Sequence, residues 1–527
     1  MPLYYPSAVV ELALRLKEPF SPAELDKWLR SAAEHPAAIR AKKSADTYAK
    51  RMSTVLDSDA SDPYSVKFFV QPVSCEWTAN SPREANTATV KVKFADLPID
   101  PRSVMAVGVT LFAGTVAADD YRAGIEERES GGAGRRSFVK RERSTTRFMG
   151  TVDSFNSTFG DSGDSLSIEC RDFTGMLIDT PVPTAVLKKL RVSQKLAGVV
   201  EDLLHSLPAT ANMPVMPDDD IDRTSLDKLV LREVLGGTRK GGEASKGAKL
   251  ASTKGAGTTY WDLITDLCVK SGVIPMIDLD ELRLVKPRTL YLSQARSAPR
   301  MIWGGNLKEL RFSRSFGKTT IQGVKIVALS GKEVKVGQYP KKLRPKATAS
   351  KDGALDSYKV YDVTGRAMQA SMLPKIAEAI YYESAMQGCE ATFATDDMEA
   401  FGLDGTSVDL LVVQAGDAVN ILIADLANPS GNLRPLFAPA TAAEIEGKST
   451  AQIADILSRR GVGSAVAPAI AAALANARRL STFRVQDVSH SIGESGYSGS
   501  YTCMSFLELD PRLVGESAGG LTPWDEG

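Results

Sequence analysis

Histidine is almost missing from this chain, with three in 527 residues: His35, His205 and His490. They are isolated from one another and fit no Ser–His or Cys–His arrangement. Each reads as structural, although a triad made by folding is spatial, not sequential. Cysteine is scarce too. Cys75, Cys170, Cys268, Cys389 and Cys503 are odd in number and far apart, with no CxxC or His–Cys cluster. They imply neither a zinc site nor a disulfide scaffold, and they fit a reducing interior. Net charge is absent, with 64 Lys plus Arg against 64 Asp plus Glu. A protein that coats nucleic acid is normally basic, whereas low self-repulsion suits a protein that assembles. The opening MPLYYPSAVVELALRLKEPF lacks the basic, apolar and small-residue regions of a signal peptide. No apolar run reaches the ~18 residues of a membrane span. The Ala-rich stretch Val466–Ala477 comes nearest, interrupted by Pro468 and Asn476 and followed by Arg478 and Arg479. Aromatics, at 7%, are too few to suggest exposed platforms for carbohydrate.

Cofactor motifs are equally wanting. Gly236, Gly237, Gly241 and Gly242 follow no strand, as G-x-G-x-x-G requires, and no G-x-x-x-x-G-K-[ST] occurs. Asp218-Asp219-Asp220 lacks the spacing of a calcium loop and reads as a solvated turn. With 64 acidic residues, neighbouring carboxylates are inevitable and say nothing about glycosidase chemistry. No cofactor and no metal are expected, and no residue is assigned a catalytic role.

What is present is ordinary core-forming sequence, 43% hydrophobic and 24% charged, enough for three or four domains of roughly 150 residues. Residues 1–62 read as a helical arm, with Ser7–Lys17 as one helix and a capping box at Ser21-Pro22-Ala23-Glu24 opening another. From 63 to 182 the pattern turns to strands: Val66, Phe68 and Val70 alternate with Lys67 and Phe69, Thr87–Phe94 alternates with period two, Val104–Phe112 is a more apolar run, and Met149–Val152 and Leu166–Cys170 supply two more strands. Tyr121–Arg147 reads as a polar hairpin arm with Gly131-Gly132 at its tip. Residues 183–304 form an α/β domain. It has a helix over Val192–Ser206 capped by Ser193, a loop near 236–257, and a helix capped at Thr258-Thr259 and ended by Gly272. A second β domain covers 305–424 and 481–512. Val334–Ala349 is an irregular excursion in it, Val408–Val413 a strand, and Gly493–Gly499 a hairpin loop. Residues 425–480 are a helical insertion, the first helix capped near Ser449-Thr450, and 513–527 a tail. The class is α+β, with two antiparallel β-barrel domains and helical insertions.

The order of these pieces carries a resemblance. Phe148-Met149-Gly150-Thr151-Val152-Asp153 is followed by Ile168-Glu169-Cys170-Arg171-Asp172-Phe173-Thr174-Gly175-Met176-Leu177. Together they resemble a signature of contractile-tail baseplate hub proteins (the phage tail hub, late control D-like family). There a G-x-V strand precedes a strand ending in D-x-T-x-x-L. Thr259–Gly272 with Leu282–Val285 is similar to that family's helix–hairpin unit. Asp409–Val419 and Phe483–His490, with Gly496-Tyr497, resemble its last β domain. The resemblance implies a homotrimer in which each chain gives two similar β-barrels, so that three chains form a six-fold-like ring. Such a ring joins a hexameric tail tube to a trimeric spike and lines the central channel. Three-fold can match six-fold symmetry only if each chain presents two equivalent modules. Implied partners are the tail tube protein, a separate spike protein, baseplate wedge proteins and a tape measure protein in the channel. DNA is present only in transit, and no membrane is involved. The implied place is the virion tail baseplate, assembled in the host cytoplasm. Residues 1–62 have no counterpart in the pattern and are expected to dock on a neighbouring chain. No repetitive β segment follows the last strand, which is why the spike is expected as a separate chain.

The resemblance implies no enzyme. The alternative is a tail-tip hydrolase acting on peptidoglycan or protein. Two basic clusters, Arg135–Arg147 and Arg239–Lys254, read as exposed arms; a sharper reading has them gripping acidic surfaces of tube or wedge proteins. Tyr381, Tyr382 and Trp261 read as core or subunit interface.

Overall fold

The computed structural model describes residues 4–18, 56–58, 64–82, 84–93, 104–129, 139–159, 165–191, 193–219, 221–231, 257–287, 290, 298–303, 306–314, 323–330, 333–341, 359–362, 370–385, 389–402, 407–423, 448–459, 464–465, 467–468, 471 and 482–505. The chain begins with β1 (Tyr4–Leu16), β2 (Leu56–Ser58), β3 (Ser65–Val70), β4 (Ser74–Ala79), β5 (Thr87–Lys93) and β6 (Val104–Ala117). Helix α1 (Ala118–Glu129), β7 (Thr146–Thr158), β8 (Ser165–Asp172) and α2 (Phe173–Asp179) complete a first β unit. An α/β unit follows: α3 (Thr184–Lys189), α4 (Leu196–His205), β9 (Val215–Pro217), α5 (Arg223–Lys228), α6 (Tyr260–Lys270), β10 (Ile274–Asp278) and β11 (Glu281–Val285). Then come β12 (Arg300–Trp303), β13 (Glu309–Arg314), β14 (Val324–Ser330), β15 (Glu333–Tyr339), β16 (Lys359–Asp362), α7 (Leu373–Ala385), β17 (Cys389–Thr395), β18 (Glu399–Phe401), β19 (Ser407–Asp409) and β20 (Ala418–Ile423). Helix α8 (Thr450–Arg459), β21 (Thr482–Gly493) and β22 (Gly496–Ser505) end the described chain.

The protein is α+β. Its main feature is one 14-stranded sheet, ordered β13-β17-β22-β21-β4-β5-β8-β7-β6-β1-β3-β2, with β20 and β12 branching from β21. The two expected barrels are not closed among the described residues. The two β units instead share one sheet, joined where β21 pairs antiparallel with β4. A parallel β14–β16 pair and β15 form a separate three-stranded sheet packed on α7. Three larger cores lie under the first β unit, inside the α/β unit and under the second β unit.

Several expectations are corrected. Ser7–Lys17 is not a helix: its residues up to Leu16 belong to β1, flanked by β3 and β6. Val10, Leu12, Leu14 and Leu16 are buried while Glu11, Ala13 and Arg15 alternate with them. A short apolar run fits either period, and pairing on both edges decides for the strand. The capping box at Ser21 lies outside the described residues. The polar arm after Tyr121 is helical as far as Glu129, with Asp119 and Asp120 favourably placed in the first turn of α1. Tyr121 stacks on Tyr5 at 5.0 Å; the Gly131-Gly132 tip lies outside the described residues. Ser193 does not cap α4, whose first residue is Leu196. The Leu196 N–H is satisfied across the fold by the Leu229 carbonyl at 3.1 Å, which removes the need for a side-chain cap. The start of the irregular excursion is strand β15, paired with β14. Val408–Val413 is a strand only to Asp409; a 3-10 turn follows, capped by Asp409 accepting from Leu411 N–H at 2.9 Å. The hairpin loop shrinks to Glu494-Ser495, because Gly496 at φ 104° turns the chain and Ser498–Gly499 continue the ladder. Thr259 does cap α6, accepting from Asp262 N–H at 3.2 Å, and Gly272 at φ 80° ends it. The loop near 236–257 falls outside the described residues except for Gly257.

Candidate functional site

Alternation along the strands gives the shared sheet two unlike faces. One face is apolar and continuous across the β21–β4 seam. There His490 lies opposite Trp77, stacked on it at 5.1 Å. His490 Nε2 is 3.2 Å from the Val413 carbonyl and Nδ1 is 3.0 Å from the Tyr497 hydroxyl. A carbonyl only accepts, so Nε2 carries the proton and Nδ1 accepts from Tyr497. Burial pushes the imidazole down to about 4, so the ring is neutral at ordinary pH. Tyr501 packs edge-on to the same ring at 5.8 Å and donates to the Leu410 carbonyl at 3.4 Å. His490 is therefore a structural bolt at the seam, with its polar atoms taken up by neighbouring backbone and hydroxyl.

The opposite face is polar. One cross-strand row runs Ser498, Ser491, Glu76, Thr89, Glu169, Ser154 over six strands, crossing the seam without a break. The next runs Ala394, Ser500, Ser489, Thr78. Ser489 Oγ donates to Glu76 across the seam at 2.9 Å, and Ser154 Oγ donates to Glu169 at 2.8 Å. Glu76 and Glu169 share this face with Lys91 and Arg171. The surface is rich in hydroxyls and carries charges of both signs, Arg171 being paired with Asp153 and Asp179.

The quoted sequence signature has a structural basis. Gly150 pairs with Asp172 across β7 and β8. A Cβ at Gly150 would stand 2.1 Å from the Arg171 carbonyl oxygen, so only glycine permits this approach. Asp172, held 4% exposed, caps α2 by accepting from Gly175 N–H at 3.3 Å and Thr174 Oγ1 at 3.2 Å. Burial nevertheless raises its carboxyl to about 6.

The other singled-out residues scatter. His205 is exposed at the end of α4, and His35 lies outside the described residues. Asp218 is bound by Arg283 at 2.7 Å, which makes it part of an ion pair. Trp261 belongs to the α/β core; Tyr381 and Tyr382 belong to the core beneath β14 and β15, where Tyr382 shares a 2.7 Å hydrogen bond with Tyr339. The Arg135–Arg147 cluster is not uniformly an exposed arm. Arg147 is 4% exposed and paired with Asp409 at 2.7 Å. Arg143 is paired with Asp280 at 2.5 Å and Glu281 at 3.3 Å. Arg135, Arg136 and Arg239–Lys254 lie outside the described residues. Sequence reasoning missed the seam group of Trp77, His490 and Tyr497; nothing local links residues so far apart.

Solved structures similar to this chain include phage tail proteins. The tail protein from Neisseria meningitidis MC58 matches over 84% of this chain and 95% of its own, at 11% identity and TM-score 0.44. The 43 kDa tail protein of prophage MuSo2 from Shewanella oneidensis matches over 86% of this chain and 99% of its own, at 12% identity and TM-score 0.45. An E. coli type VI secretion system component, itself similar in structure to the T4 bacteriophage tail proteins gp27 and gp5, matches over 83% of this chain and 74% of its own, at 7% identity and TM-score 0.34. No protein-family model and no curated protein matches the chain.

Proposed function

We propose that this chain is a structural protein of a phage-type tail and serves as its baseplate hub. The observation that carries the reading is the unbroken sheet across the β21–β4 seam. One polypeptide thereby presents two β modules, 63–182 completed by β1, and 305–424 with 481–512, as a single wall. Three copies supply six modules to a hexameric tail tube while keeping three-fold symmetry for a separate trimeric spike. The polar, hydroxyl-rich face forms the channel wall, and the carboxylates on it disfavour a grip on DNA in transit. Among the described residues, the outer edge of β13 and the edge at β2 are strand edges open to neighbouring copies. Baseplate wedge proteins contact the outside, and the work is mechanical rather than enzymatic.

Light scattering on the purified full chain tests this, with pull-down of candidate tail tube and spike proteins. A trimer that retains both proteins is expected. A stable monomer at micromolar concentration that binds neither refutes the reading, as does clearing of cell-wall substrate by the purified chain.

A further inference from the structure

A cleft of about 400 Å³ opens where the first β unit, the β10–β11 hairpin tip and the 410–414 segment meet. Its wall holds the carboxylates of Asp172, Asp278 and Glu281. Two further carboxylates, Asp280 and Asp409, are ion-paired to its arginines, Arg143 and Arg147. Arg283, beside Asp278 at 3.4 Å, is the third guanidinium of the group. Among the described residues, negative charge is therefore in excess, five carboxylates against three guanidiniums. Arg143 is 57% exposed, so its pairs with Asp280 and Glu281 are worth little and exchange readily for an incoming cation. Arg147 lines the same wall, 4% exposed, and its Nε–H has no acceptor. Leu279 and Val412 add apolar surface, Val412 being 48% exposed. Leu279 sits at φ 57°, a turn position that favours Asn or Gly. The leucine there costs conformational energy that an apolar contact with an occupant would offset.

We propose that this cleft docks a lysine- or arginine-bearing polypeptide segment of a partner chain. The basic side chain exchanges for Arg143 at Asp280 and Glu281, and an apolar neighbour packs on Leu279 and Val412. This inference stands apart from the tail reading and from the oligomeric state of the chain.

Isothermal titration of the full chain with acetyl-Leu-Arg-Leu-amide, against acetyl-Leu-Glu-Leu-amide, is the test. The arginine peptide is expected to bind and the glutamate peptide not. Glu281→Gln removes one carboxylate and Val412→Trp fills the space from a half-exposed position, so either can fold where the other fails. A weakening of about fivefold or more in either variant, with its melting temperature kept, supports the site. Absence of binding by the arginine peptide, equal binding of both peptides, or binding unchanged in both variants overturns it.

Discussion

Replacing His490 by Gln should reverse the stability order of wild type and variant as pH falls. The imidazole sits at about 4 in the folded protein against an ordinary 6.5. Above about pH 7.5 it is neutral in both states and costs nothing. As pH falls from there, the unfolded chain takes up a proton that the buried ring refuses, so wild-type stability drops until both states are protonated near pH 4. The loss is about 2.5 kcal/mol by pH 4.5. Gln keeps a donor for the Val413 carbonyl but forfeits the stack on Trp77, worth about 1 kcal/mol. The variant should therefore be less stable by about 1 kcal/mol near neutrality and more stable by about 1.5 kcal/mol at pH 4.5. Asp172 and Asp417, both raised to about 6 by burial, act in the opposite sense. Their folded forms resist ionisation, so they add stability as pH falls. Because they titrate in both proteins, the difference between wild type and variant isolates His490. Urea unfolding followed by circular dichroism at stepped pH reads this difference. A gap that stays constant from pH 7 to 4.5 refutes the buried, neutral histidine at the seam.

Gly150→Ala should destabilise the first β unit by about 3 kcal/mol, since the new methyl meets backbone of Arg171 and Asp172 that is fixed in the ladder; a cost near zero in urea unfolding would refute the close approach. Asp409→Asn should cost about 1–3 kcal/mol by leaving the buried Arg147 charge uncompensated. Arg147→Met should be close to neutral, because it removes the buried charge and its unpartnered Nε–H together and leaves a carboxylate that water can reach. Thermal melts that rank the two variants the other way would contradict this assignment.

Much of the architecture was legible before the structure. The period-two run at Thr87–Phe94 became β5 as far as Lys93, the expected strand Leu166–Cys170 lies in β8, Thr259 and Gly272 bracket α6, and the paired tyrosines went to a core. Local signals suffice where the pattern and the flanking caps agree. They failed at Ser7–Leu16, whose apolar run suits a helix until two neighbouring strands are supplied, and at Arg147, whose charge reads as solvated until Asp409 arrives from 262 residues away.

By itself the sequence determined which side chains alternate along β5 and β8 and where α6 starts and stops. Tertiary structure alone decided that β4 meets β21, more than 400 residues along the chain. Alternation sorts the residues of one strand into two faces, but backbone hydrogen bonds are chemically alike in every strand. The choice of neighbour is made by the packing of Trp77, His490 and Tyr497, which exists only once the chain has folded.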